Sequence, residues 1–159
     1  MIDNYNKLPL GKYEELVEVC KVGGEDIAVQ VAIVAILMGC TEEEVMEMPI
    51  SEYADAVRRT AFLEMKPQPA AFATKCYCGG WELVAEKDPR KITTAQYVDF
   101  KTYAERQDTA GMLSCFLVPK GKRYGKDYDP GVIMEAIRGH MSVTEALGLS
   151  AFFWRGAVV

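Results

Sequence analysis

Histidine is almost absent from this 159-residue chain; His140 is the single one. A zinc site draws on about four Cys, His or acidic ligands at recognisable spacings. The five cysteines, Cys20, Cys40, Cys76, Cys78 and Cys115, do not supply such a set. Cys76-Tyr77-Cys78 is a C-x-C and not a C-x-x-C. An odd cysteine count without a secretion signal points to reduced thiols. With one histidine and no companion at short spacing, neither a Ser-His-Asp nor a Cys-His arrangement can be assembled. No catalytic residue, no metal ligand and no cofactor-binding residue is therefore assigned.

Long apolar runs are also missing. The longest, Ile27–Met38, has 12 residues where a membrane span needs about 20, so it reads as a core element. The first ten residues carry no basic region followed by an apolar one, and no secretory signal or membrane association is expected. Positive charge is scarce overall. The net charge of −5 argues against a nucleic-acid partner.

What is present is the balance of a globular domain: half the residues are apolar and 26% are charged. A chain this long buries roughly 70% of its unfolded surface and needs no staple. Charge is uneven along it. Residues 1–65 hold 5 basic and 13 acidic side chains, and residues 66–159 hold 13 basic and 10 acidic. Such asymmetry can steer self-association or a charged partner.

Most boundaries are marked by helix signals. A short amphipathic helix is expected over Tyr13–Val22, stopped by Gly23-Gly24. Glu25-Asp26 opens the run Ile27–Met38, expected to be the most buried element, and Gly39 closes it. Thr41 with Glu44 forms a capping box, and Ser51 is expected to cap a helix over Glu52–Met65. Pro67 and Pro69 then break the chain. Phe72–Cys78, Gly79-Gly80 and Trp81–Glu86 read as a β-hairpin with a two-residue turn. Thr93 or Thr94 is expected to cap a helix from about Ala95 to Arg106, and another follows from about Thr109 to Val118. Asp129-Pro130 and the capping box Ser142–Glu145 open the last two. The fold class expected is mainly α (α+β), with about seven helices and one β-hairpin near residues 72–86. It forms a single domain of two lobes, an acidic helical lobe over 1–65 and a hairpin-plus-helices lobe over 71–159.

Two segments are candidates for binding protein. Lys120, Lys122, Arg123, Tyr124 and Lys126 lie in a basic loop with Gly121 and Gly125. It is not a phosphate-binding P-loop: the glycines are one residue too close, Asp127 stands in place of Ser or Thr, and proline precedes it. It can face an acidic partner or simply be solvated. The second segment is Phe152, Phe153 and Trp154, with Arg155 and the apolar tail Gly156–Val159 behind it. Adjacent aromatics on a helix point about 100° apart, so one can enter the core while the other seeks another surface.

Three stretches in order carry a resemblance: Lys7–Tyr13, Lys91–Phe100, and Phe116–Gly125 continuing to Met141–Leu147. The chain resembles small proteins of tailed phages and prophages of gut Bacteroidota. The resemblance implies a non-enzymatic morphogenesis protein, a tail assembly chaperone that binds tape-measure and tail-tube proteins in the host cytoplasm. The alternative it leaves open is a virion component such as a tail-tube, connector or baseplate protein. A small enzyme with no recognisable motif is a more distant third reading. The hairpin departs from the all-helical form of the best-known tail chaperones.

Overall fold

A computed structural model describes residues 1–23 and 27–157, with side chains described to Trp154. Glu25 and Asp26, the acidic pair placed before the second helix, lie outside the described residues. The fold is mainly α with a small antiparallel sheet, the α+β class expected. The described helices are α1 (Leu10–Lys21), α2 (Ile27–Met38), α3 (Glu42–Glu47), α4 (Ile50–Arg59), α5 (Thr94–Glu105), α6 (Thr109–Ser114), α7 (Pro130–His140) and α8 (Val143–Ala157). The strands are β1 (Lys75–Cys78), β2 (Trp81–Ala85) and β3 (Leu117–Pro119), in spatial order β1-β2-β3.

Local chemistry sets several helix starts. At Thr41 and Thr93 the threonine hydroxyl accepts from the N–H three residues on, and the Glu44 or Gln96 side chain accepts from the cap N–H in return. Ser142 and Glu145 repeat the exchange at α8. Asp129 accepts from Gly131 N–H, with Pro130 in the first turn. These caps satisfy amides that a helix start leaves without partners.

Two expected helices are different. The segment over Glu52–Met65 starts earlier, with Pro49 as the cap, and ends as α4 at Arg59. A 3-10 turn over Thr60–Glu64 continues it. There the Thr60 hydroxyl donates to the Val57 carbonyl, a local bond that competes with helical pairing. The helix from Thr109 stops at Ser114, because residues 117–119 form β3 and not a last helical turn.

The hairpin turns at Gly79 and Gly80, which have φ of 54° and 83°. Both positive values suit the primed turn that matches strand twist. β1 pairs with β2 from Lys75↔Val84 to Cys78↔Trp81, and β2 pairs with β3 from Leu83↔Pro119 to Ala85↔Leu117. One face, with Cys78, Leu83, Ala85 and Leu117, is buried. It joins Leu113, Ile133, Ile137, Met141 and Phe153 in the largest apolar cluster. A second cluster gathers Val31, Val34, Ala35, Val45 and Ala56. A third gathers Leu8, Leu16, Leu37 and Val143.

The expectation that α2 is the most buried element is overturned. Ile27 is 68% exposed, and Gln30 and Met38 are also exposed. α2 is apolar on every side, but its neighbours are α1, α3 and α4, which cover only part of it. α8 is more deeply set, with Val143, Thr144, Ala146, Leu149, Ser150 and Phe153 buried. The reason is close approach. At Gly148 the helix touches the backbone of the Pro-rich segment, and an added Cβ would collide with the carbonyl oxygen of Ala70. Ala70 N–H in turn donates to Thr144 O at 2.8 Å.

Gly148→Ala is therefore expected to destabilise the fold by about 1–3 kcal/mol, because overpacked backbone must move. A thermal melt checks it; an unchanged midpoint would show that the 66–70 segment yields freely.

Candidate interaction site

The basic loop leaves β3 at Pro119 and returns to α7. Lys120 N–H donates to the Glu82 carbonyl, and the Lys120 ammonium lies 3.3 Å from the Glu82 carboxylate. Arg123 holds Asp127 doubly, Nε to Oδ2 and Nη2 to Oδ1, both at 3.1 Å, while its backbone N–H donates to the same carboxylate at 2.7 Å. Two of the loop's cations are thus engaged by acids of this chain. Lys122 and Lys126 are exposed.

Tyr124 points inward. Its hydroxyl donates to Asp99 Oδ2 on α5 at 2.7 Å and lies 3.8 Å from the Cys115 sulfur. Its ring meets Tyr128 edge-on, with centroids 6.2 Å apart. Burial first, and then the bond to Asp99, hold the Tyr124 phenol well above its usual range, so it stays a donor. Burial likewise pushes the Cys115 thiol up to about 11, which makes it a poor nucleophile near neutrality. Tyr124 acts as a peg for the loop, leaving Lys122 and Lys126 as its outward groups.

The second candidate segment divides. Phe153 is 6% exposed and stacks on Phe116 at 4.6 Å, inside the largest cluster. Trp154 is half-buried and packs against the same cluster. Phe152 is 38% exposed and stacks on Phe72 at 4.0 Å. The adjacent pair thus splits between core and surface, as the 100° rotation requires. Phe152 and Phe72, with Pro69 and Pro89, line an apolar groove whose rim carries Glu86 and Lys87. Arg155 and the tail behind it lie outside the described side chains.

Nothing in the sequence around Phe72 marks its role. It was expected to open a strand, but it sits before β1 as the stacking partner of Phe152. The loop follows β3, and the groove lies where α8 meets the 66–74 segment. Among the described residues, no group of three or more His, Cys, Asp or Glu side chains could hold a metal. No described helix is long and apolar enough to cross a membrane. His140 is exposed, its ring against Gly79 at the hairpin turn.

The Arg123 clamp holds the Asp127 carboxyl down to about 2, chiefly through the side-chain bond and then the backbone bond. A carboxyl depressed on folding stabilises the fold above its ordinary value of 3.8, and the contribution fades as pH falls toward 2. In a carboxylate NMR titration Asp127 should titrate near 2, and return toward 3.8 in Arg123→Ala. An ordinary midpoint in the unsubstituted protein would mean that the clamp does not hold in solution.

Comparison with known proteins returned no match to a family model, a curated protein or a solved structure.

Proposed function

We propose that this is a non-enzymatic phage morphogenesis protein, a tail assembly chaperone that binds tape-measure and tail-tube proteins in the host cytoplasm. The observation that carries the reading is the Phe152–Phe72 groove. A protein that holds a client needs an apolar anchor site with a polar rim, and aromatic side chains are the commonest anchors. The stacked pair is such a site, open on one side and fixed from below by Phe153. The resemblance over three segments supplies the phage context.

The basic loop has a subordinate part. Exposed Lys122 and Lys126 act over distance, so they raise the association rate and make it salt-sensitive more than they add affinity. No cofactor or nucleic acid enters this reading. Solved as a virion component, the same protein would use the groove as a permanent contact within the particle.

Phe152→Ala should weaken capture of the co-expressed tape-measure protein by about 1–3 kcal/mol, as truncating an anchor does. Mass spectrometry of purified virions separates the two roles. A chaperone is absent from them; the same chain present in fixed copy number would replace the chaperone reading with the virion one. Capture indifferent to Phe152→Ala would remove the groove as the anchor.

A further inference from the structure

The sheet has two outer edges, and they differ. Ala85 N–H donates to the Thr74 carbonyl on one side of β2. On the other side Glu86 N–H donates to Phe116 O, and Lys120 N–H to Glu82 O. Antiparallel pairs alternate, so residues 81, 83 and 85 serve β1 while 82, 84 and 86 serve β3. In β1, Cys76 and Cys78 therefore face β2. The N–H and C=O groups of Lys75 and Tyr77 point away from it.

The β3 edge is closed. Its outward residues are Leu117, which is fully buried, and Pro119, which has no N–H. The Pro119 carbonyl accepts from Lys122 N–H at 3.0 Å. The β1 edge is open. Among the described residues, nothing bonds to the outward backbone groups of Lys75 and Tyr77. Tyr77 is 75% exposed, and Lys75 is exposed. An open edge with an exposed aromatic is a template for another strand.

We propose that β1 is a dimerisation edge, on which a second copy of this chain pairs antiparallel about a two-fold axis through Cys76. The strand is self-complementary in that register. Lys75 N–H reaches the C=O of the partner's Tyr77, and Tyr77 N–H reaches that of the partner's Lys75; symmetry doubles the pair. All the outward groups of β1 are then used, and two three-stranded sheets become one of six strands. Lys75 and Tyr77 lie on the same exposed face. Each lysine thus stands beside the partner's tyrosine ring, at the cross-strand spacing of about 5.5 Å that favours a cation–ring contact. Beyond the strand, Ala73 comes opposite Gly79, whose missing side chain leaves room that the His140 ring and Ala136 of the same chain already line. A lysine on an edge normally discourages pairing. Here it helps select the register: a shift by two residues one way brings lysine against lysine, and the other way sets tyrosine against tyrosine and loses both lysine–tyrosine pairs. An unrelated strand could use the backbone groups but would lack these two lysine–tyrosine pairs, and that favours a second copy.

The inference is independent of the tail-assembly reading. Sedimentation of the full chain over a wide concentration range is expected to show a monomer–dimer equilibrium. Tyr77→Pro removes an outward N–H without touching the bonds to β2 and should weaken the dimer at least about tenfold. Tyr77→Lys, which sets like charges opposite each other, should do the same, while Tyr77→Glu should retain the dimer by facing Lys75 with opposite charge. Circular-dichroism melts establish that the variants are folded. Should Tyr77→Pro fail that control, the lysine–glutamate contrast decides. A monomer at every concentration overturns the proposal. So does a dimer that ignores both Tyr77→Pro and Tyr77→Lys; capture of an unrelated extended segment by a monomeric protein would do so too.

Discussion

The fold depends on a seam between its two ends. Leu10 N–H donates to Met141 O at 2.8 Å, and Val143 N–H donates to Leu8 O at 2.9 Å. Two backbone bonds thus join segments more than 130 residues apart, flanking the Pro9↔Ser142 bridge. The side chains at this seam belong to different cores: Leu8 and Val143 to the cluster with Leu16 and Leu37, Leu10 and Met141 to the large one. A polar chain reinforces it, from the buried Ser142 Oγ and Thr144 Oγ1 out to Asn6 Oδ1 at the surface. Closing so long a loop costs entropy that only the packing on both sides can offset. Just beside the seam, Arg138 on α7 reaches Glu14 on α1 at 3.5 Å and Asp108 before α6 at 3.0 Å. The same guanidinium meets Glu135 on its own helix at 2.6 Å, so removing it would leave three acids close together, and the cluster matters more than a single exposed ion pair.

What was legible in the sequence is what local chemistry decides. Thr41, Thr93, Asp129 and Ser142 each announce a helix within four residues of themselves, and each does cap one. Gly79-Gly80 announces the turn by the backbone angles it permits. β3 carries no such mark. Leu117-Val118-Pro119 is three residues long and is a strand only because β2 lies alongside. A helical extension of α6 was as reasonable until that pairing was known. α2 failed in another way. Its apolar residues have no periodicity, so the sequence could not say which side would be covered.

The candidate surfaces show the same division. That residues 120–126 are basic is a matter of composition. That Lys120 meets Glu82, and Tyr124 meets Asp99, depends on contacts 38 and 25 residues apart. The pairing that leaves Lys122 and Lys126 as the outward cations of the cluster was therefore hidden. Phe152 and Phe153 split between surface and core because of helix geometry, which could be foreseen. Which of the two went inward was decided by Phe116 and Phe72, and neither position advertises it.

The open strand edge and the basic loop are parts of one surface. Along the uncovered side of the sheet lie Lys75 and Tyr77 on β1, Glu82 and Val84 on β2, and Val118 leading to Lys120. The Glu82–Lys120 pair ties the loop to the middle strand of that face. The closed β3 edge explains why growth could occur on one side only: Pro119 and the loop folded over it end the sheet there, as edge protection requires. Pairing at β1 would therefore stop at two copies, because each chain has one usable edge and a two-fold axis consumes both. It would also set two basic loops at opposite ends of one six-stranded face. A partner carrying two acidic segments at that separation would meet both loops in one encounter, and its second contact would form at the high effective concentration that linkage provides. A single free edge would thus limit such an assembly to two copies, with the loops at its ends.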